Sequence, residues 1–106
     1  MTIADLQRQA RELNDTQGWH GTTPEERVLW LMTEVGELAR EVLQFAATGT
    51  EESRAAAHHR LGAEMYDVVW NICDLANIVG VDLETSFASK EAVNKERAWP
   101  GATAGA

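Results

Sequence analysis

Two short acidic patterns carry the chemistry that this sequence could perform. Glu34 and Glu37 stand three residues apart, and so do Glu64 and Asp67. That spacing puts both members of a pair on one face of an α-helix. Glu41 follows Glu37 by four residues and prolongs the first stripe, while Asn71 and Asp74 prolong the second. Carboxylates converging from two helices repel, by about 3 kcal/mol for two charges roughly 5 Å apart at an effective dielectric near 20. A hard divalent cation with oxygen ligands relieves that repulsion. Mg²⁺ takes a few carboxylates and keeps its other positions for water and substrate phosphates. The plainer alternative is a pair of solvated acidic faces, with Arg40 and Arg60 available as ion-pair partners.

The elements that would position these groups read as helices throughout. Ile3, Leu6, Ala10 and Leu13 recur at helical spacing and predict a first helix from about Ile3 to Asn14, with Asp15 to Gly21 as a loop. Thr23-Pro24-Glu25-Glu26 reads as a helix start, with Thr23 as N-cap, Pro24 in the first turn and Glu26 closing a capping box. The second helix then runs to about Ala47. Its apolar stripe is Val28, Leu31, Val35, Leu38, Val42 and Phe45, and Gly49 is the expected residue just past its end. Gly36, inside this helix, costs about 1 kcal/mol against Ala and implies a close approach there. A third helix is expected from Glu51 to about Val79, broken by Gly80. Asp82 caps a fourth, running to about Arg97, with Leu83, Phe87 and Val93 facing inward. Short connections between long helices predict an all-α fold, a four-helix antiparallel bundle completed by oligomerisation. Residues 1–100 form the expected domain and 101–106 a flexible tail.

Composition narrows the functional classes. The chain has 106 residues with nine basic and seventeen acidic ones, a formal net charge of −8. Polymeric nucleic acid is held mainly by Lys and Arg, so an acidic chain of this kind is a poor partner for it. A small anion is still accessible through a bound cation that inverts the local charge. Cys73 is the single cysteine, which rules out an internal disulfide and suits a buried small hydrophobe. Neither a signal-peptide pattern nor a membrane-length apolar run occurs, so the expected setting is soluble, reducing and cytoplasmic.

With its acidic pairs in this order, Glu34-Val35-Gly36-Glu37-Leu38 and then Glu64-x-x-Asp67, the chain resembles the MazG-like and dCTP-pyrophosphatase-like all-α NTP pyrophosphohydrolases. The 26 residues between the two pairs suit that family. A closing segment of Lys90, Asn94, Arg97 and Trp99-Pro100 is similar too. The resemblance extends over about residues 5 to 100. It implies hydrolysis of a nucleoside triphosphate between the α- and β-phosphates, in a homodimer or homotetramer of helical bundles, with Mg²⁺ and with Mn²⁺ as a substitute. By motif position, Glu34, Glu37, Glu64 and Asp67 become metal ligands. Lys90, Asn94 and Arg97 become contacts to phosphate or sugar, and Glu37 or Glu41 the general base.

Among the four tryptophans, Trp19, in a loop before the acidic helix, is the candidate for base contact, and Trp99 a weaker one. Trp30 and Trp70 read as packing or interface residues. The family's dCTP-pyrophosphatase branch places a base-holding aromatic shortly after the first acidic pair. Gln44 and Phe45 are about one residue out of step with it. His58 and His59 are adjacent and point apart on a helix, which suits a solvated face better than a shared ion. Two rivals stay open from sequence: a non-catalytic helical interaction module whose acidic stripes face solvent, and a nucleotide sensor with the same fold.

Overall fold

A computed structural model describes residues 1–97. Four helices follow one another, α1 (Ile3–Gln17), α2 (Pro24–Ala46), α3 (Glu51–Val79) and α4 (Leu83–Glu96), and the fold is all-α. No helix among the described residues is long and apolar enough to cross a membrane. The expected Trp99-Pro100 terminus and the 101–106 tail lie outside the described residues.

Local chemistry explains most of the boundaries. Thr2 caps α1 in a full capping box with Asp5. The helix runs one turn beyond the expected Asn14, because Asp15, Thr16 and Gln17 are polar but not helix-breaking. It stops at Gly18, which takes the left-handed conformation at φ 70°. Thr23 caps α2 by accepting from the Glu26 N–H at 3.1 Å, with Pro24 in the first turn. The return bond from the Glu26 carboxylate is not made, so Glu26 serves α2 only by its charge near the helix's positive end. Gly49 does not act as a left-handed terminator. The helix ends at Ala47 with φ −93°, because the Thr48 hydroxyl donates to the Phe45 carbonyl and the chain turns directly into the Thr50 cap of α3. Gly80 ends α3 at φ 77°, and Asp82 caps α4 by accepting from the Thr85 N–H.

The long helices α2 and α3 pair antiparallel, and α1 lies antiparallel along the C-terminal half of α3. Ala10, Cys73 and Ala76 are buried together at that second contact, and Leu83 of α4 closes the cluster. Gln7 anchors the α3–α4 turn, its amide donating to the Val81 carbonyl at 2.6 Å and accepting from the Leu83 N–H. Beyond Leu83, α4 leans on α1 and is otherwise uncovered. Phe87 and Val93, expected to face inward, are 52% and 56% exposed, because no element among the described residues lies opposite them. The Cα radius of gyration is 17.2 Å, against about 13 Å for a compact chain of this length. The arrangement is a helical hairpin with two attached helices, open on several sides.

One polar network pins three helices together. Arg27 of α2 is nearly buried and meets Asp74 of α3 at 2.7 Å. Its Nη1 donates to Asn71 Oδ1 at 2.9 Å, and its guanidinium lies 5.1 Å over the Trp70 ring. Asn14 of α1 donates to the other Asp74 oxygen. Breaking a buried pair from one side leaves an uncompensated charge, at a cost of about 3–5 kcal/mol. Asp74→Ala should therefore lower the unfolding free energy by about that amount in urea titrations. Arg60→Ala, which removes the more exposed pair to Glu41, should cost under about 1 kcal/mol. Equal losses would mean that the Arg27 network does not hold the hairpin.

Candidate metal and nucleotide site

The α2–α3 contact line sets the site. Glu34 and Glu37 sit on the α3-facing side of α2, and Glu64 meets them from α3. One carboxylate oxygen from each of the three falls within a common 4.8 Å. Asp67 lies one turn further along α3, near enough for its charge to raise the pKa of both Glu34 and Glu64. The four acidic residues expected to act together are thus neighbours, brought there by antiparallel pairing. Glu41 sits at the edge of the group and takes Arg60 Nε at 2.9 Å.

The electrostatics of this group are unfavourable as they stand. Oε2 of Glu34 and Oε2 of Glu64 are buried and have no hydrogen-bond partner. Burial, and then the charges of Glu37 and Asp67, push Glu34 up to about 7. Burial is also the first cause for Glu64, followed by the same two carboxylates, and it too is raised. Orphaned, buried, crowded carboxylate oxygens are the donor set that a hard divalent cation takes. The residues therefore fit the Mg²⁺ expected from sequence, and Mn²⁺ as its substitute.

A cavity of 260 Å³ opens beside the carboxylates, with Glu34 and Asp67 in its wall. Trp19, Trp30, Tyr66 and Trp70 supply most of the rest. Trp19 comes from the α1–α2 loop, where Gly18 and Gly21 both take positive φ and the Trp19 N–H donates to the Asn14 carbonyl at 2.9 Å. Aromatic walls beside a cation site suit a planar ring carrying a charged tail. Trp19 was the expected base contact, whereas Trp30 and Trp70 were read as packing or interface residues and Tyr66 was assigned no role. Trp70 does pack against the small core, yet it and Trp30 also line this cavity. Arg27 was missed altogether. The available signal was its place seven residues before Glu34, on the face that meets α3.

The α4 residues lie apart. Lys90 and Asn94 line a separate hollow with Phe87 and Lys95, and no α4 residue is in the wall of the carboxylate cavity. Arg97 is the C-cap of α4. His20 borders a different hollow, and His58 and His59 are exposed, His58 with its ring centroid 6.3 Å from that of Phe45.

The chain is similar in sequence to known proteins. The family model described as the MazG nucleotide pyrophosphohydrolase domain matches residues 22–97, which span α2, α3 and α4. A Bacillus subtilis (strain 168) relative, the uncharacterized protein YvdC, is 39% identical over 89 residues, covering 79% of this chain and 84% of the relative. No solved structure matches.

The raised Glu34 makes the metal-free protein pH-sensitive in a defined direction. At low pH, below the ordinary carboxylate value of 4.5, the group is protonated both folded and unfolded. As pH rises from there to about 7, the unfolded chain ionises while the folded one keeps its proton, so stability falls through that window. The melting temperature of the metal-free protein should drop between about pH 5 and pH 8. Added Mg²⁺ should raise it at the upper end and have little effect at the lower. Glu34→Gln should flatten both responses. A Mg²⁺ effect of equal size at both pH values would contradict the assignment.

Proposed function

Because the chain belongs to the MazG nucleotide pyrophosphohydrolase family, we propose that it hydrolyses a (deoxy)nucleoside triphosphate to the monophosphate and pyrophosphate, with Mg²⁺ held by Glu34, Glu37, Glu64 and Asp67. The observation that carries this reading is the meeting of unpartnered buried carboxylates with an aromatic cavity. A divalent cation bound there supplies charge neutralisation to the phosphates and favours in-line attack on phosphorus.

The chain's own groups divide the remaining work. Trp19, Trp30, Tyr66 and Trp70 receive the base and exclude water from one side of it. The attacking water gives its proton to a carboxylate. Glu41 is engaged by Arg60 at 2.9 Å and stands at the edge of the group, whereas Glu37 lies within the three-carboxylate cluster. Glu37 is then the better acceptor of the two candidates. Lys90, Asn94 and Arg97 remain the proposed contacts to phosphate or sugar. No α4 residue shares the carboxylate cavity within one chain, so a homodimer or homotetramer in which a neighbour's α4 completes the site belongs to the same reading. So does a cytoplasmic role in clearing non-canonical or surplus nucleotides.

Pyrophosphate release from a panel of canonical and modified triphosphates, with Mg²⁺ and with Mn²⁺, tests the proposal. Glu37→Gln should reduce kcat by about 10²-fold or more with the helical circular-dichroism signal unchanged. Nucleotide binding without pyrophosphate release across the whole panel would identify a sensor instead. Trp30→Ala should raise KM more than it lowers kcat, since it removes stacking and leaves the carboxylates in place. An unchanged KM would take the base out of this cavity.

A further inference from the structure

Arg27 is nearly buried, yet it stands in the wall of the aromatic cavity. A guanidinium carries five N–H donors in a fixed fork and no acceptor. Its Nε faces Asp74 at 2.7 Å and its Nη1 donates to Asn71 at 2.9 Å, so part of the fork remains for a ligand. The Trp70 ring, 5.1 Å away, backs the group from one side. Arg27 precedes Glu34 by two helical turns, about 10 Å along α2, and so belongs to the aromatic part of the cavity, away from the carboxylate cluster.

The other polar groups of the wall narrow what could meet it. Trp19, Trp30 and Trp70 each offer an indole N–H, which only donates. The Asn71 carbonyl oxygen is taken by Arg27, and its amide nitrogen by the backbone of Asp67. Glu34 and Asp67 accept, but in the reading above they hold the cation. Among the side chains lining the cavity, the Tyr66 hydroxyl is the acceptor left over. The wall is rich in donors and poor in free acceptors. A base edge with a carbonyl oxygen finds partners there. The exocyclic amino group of adenine, itself a donor, is poorly matched.

We propose that Arg27 is the specificity-determining residue of this cavity, donating to a carbonyl oxygen of the base so that oxo bases are taken in preference to adenine. The assignment rests on the reading that the cavity receives the base. In DNA recognition, arginine paired with a carbonyl oxygen and the ring nitrogen beside it is the commonest specific contact to guanine. Hypoxanthine presents the same oxygen, where adenine presents an amino group. Asp74 turns the contact toward a neutral base and away from phosphate, because it cancels the charge of Arg27 and leaves the remaining donors in place. A buried donor left without its partner is costly, and that cost is what makes the contact discriminate.

Inosine and adenosine test this without metal, phosphate or turnover, since they differ at the carbonyl or amino group in question. Quenching of tryptophan fluorescence in the full chain should give a dissociation constant about tenfold or more lower for inosine. Arg27→Gln combined with Asp74→Asn removes both charges together, so no unpaired ion is left inside. A glutamine amide offers a carbonyl and an N–H alike, so the preference should vanish in that variant while far-UV circular dichroism shows intact helices. Should the double variant not fold, wild-type kcat/KM for inosine triphosphate over ATP reads the same preference, again about tenfold or more. Equal binding of the two nucleosides to the wild type, or quenching by neither, overturns the inference. So does a preference for inosine that survives the double variant. An inosine preference without pyrophosphate release from any triphosphate would remove the proposed activity and support the role of Arg27.

Discussion

The mutual repulsion of carboxylates at the α2–α3 contact is the constraint around which this protein is arranged. Glu34, Glu37 and Glu64 converge on the line along which two helices must pack, with Asp67 one turn away. Left to themselves, such charges would spread the hairpin. Attractive contacts flank them on both sides. Seven residues before Glu34 on α2, Arg27 meets Asp74 and Asn71; seven residues after it, Glu41 meets Arg60. Further toward the connection, Arg54 lies 5.2 Å over the Phe45 ring. The contact line therefore runs from cation–anion through anion–anion to anion–cation, and the unfavourable middle is held by its ends. Stored repulsion of this kind is what a cation-binding site needs before the cation arrives.

The cavity follows from the same placement. Arg27 is drawn inward by Asp74 and covers one face of Trp70, and with Trp30 and Trp19 it shapes the wall beside Glu34 and Asp67. The residues that fix the hairpin thus also shape the pocket. Asn71 makes the link most directly. It accepts from Arg27 and donates to the backbone carbonyl of Asp67 at 2.8 Å, so the position of one acidic residue depends on the buried ion pair. Such support is what holds a reactive constellation to a narrow geometry.

Much of this was legible in the residues. The acidic pairs, the Thr23-Pro24 start, the Glu51–Val79 helix, the Gly80 break and the Asp82 cap all rest on local chemistry, and local chemistry is what a sequence displays. The failures were of another kind. Val28, Leu31, Val35, Leu38, Val42 and Phe45 read as one buried stripe, but only Leu31, Leu38 and Phe45 are half-buried while Val28, Val35 and Val42 are exposed, because periodicity reports that a helix has an apolar side without saying what lies against it. Phe87 and Val93 were assigned inward for the same reason. Arg27 escaped notice because its burial depends on Asp74, 47 residues away, and no local rule couples them. Gly49 resembled a terminator by type, but the Thr48 hydroxyl and the Thr50 cap had already ended α2 without it.

The charge balance of the site decides how an acidic chain could handle a polyanion. Arg27 is the basic residue in the cavity wall, and Asp74 already neutralises it. Arg60, on the other side of the cluster, is committed to Glu41. No uncommitted positive charge from α2 or α3 therefore lines the cavity, while Glu34 and Asp67 add negative charge to it. A phosphate chain brought there alone meets repulsion, and the same chain with a divalent cation meets a cation site. Binding of the anion becomes conditional on the cation, because the carboxylates are favourable to one and unfavourable to the other. Under the proposed reading, the net charge of −8 is no obstacle to an anion that arrives together with its cation.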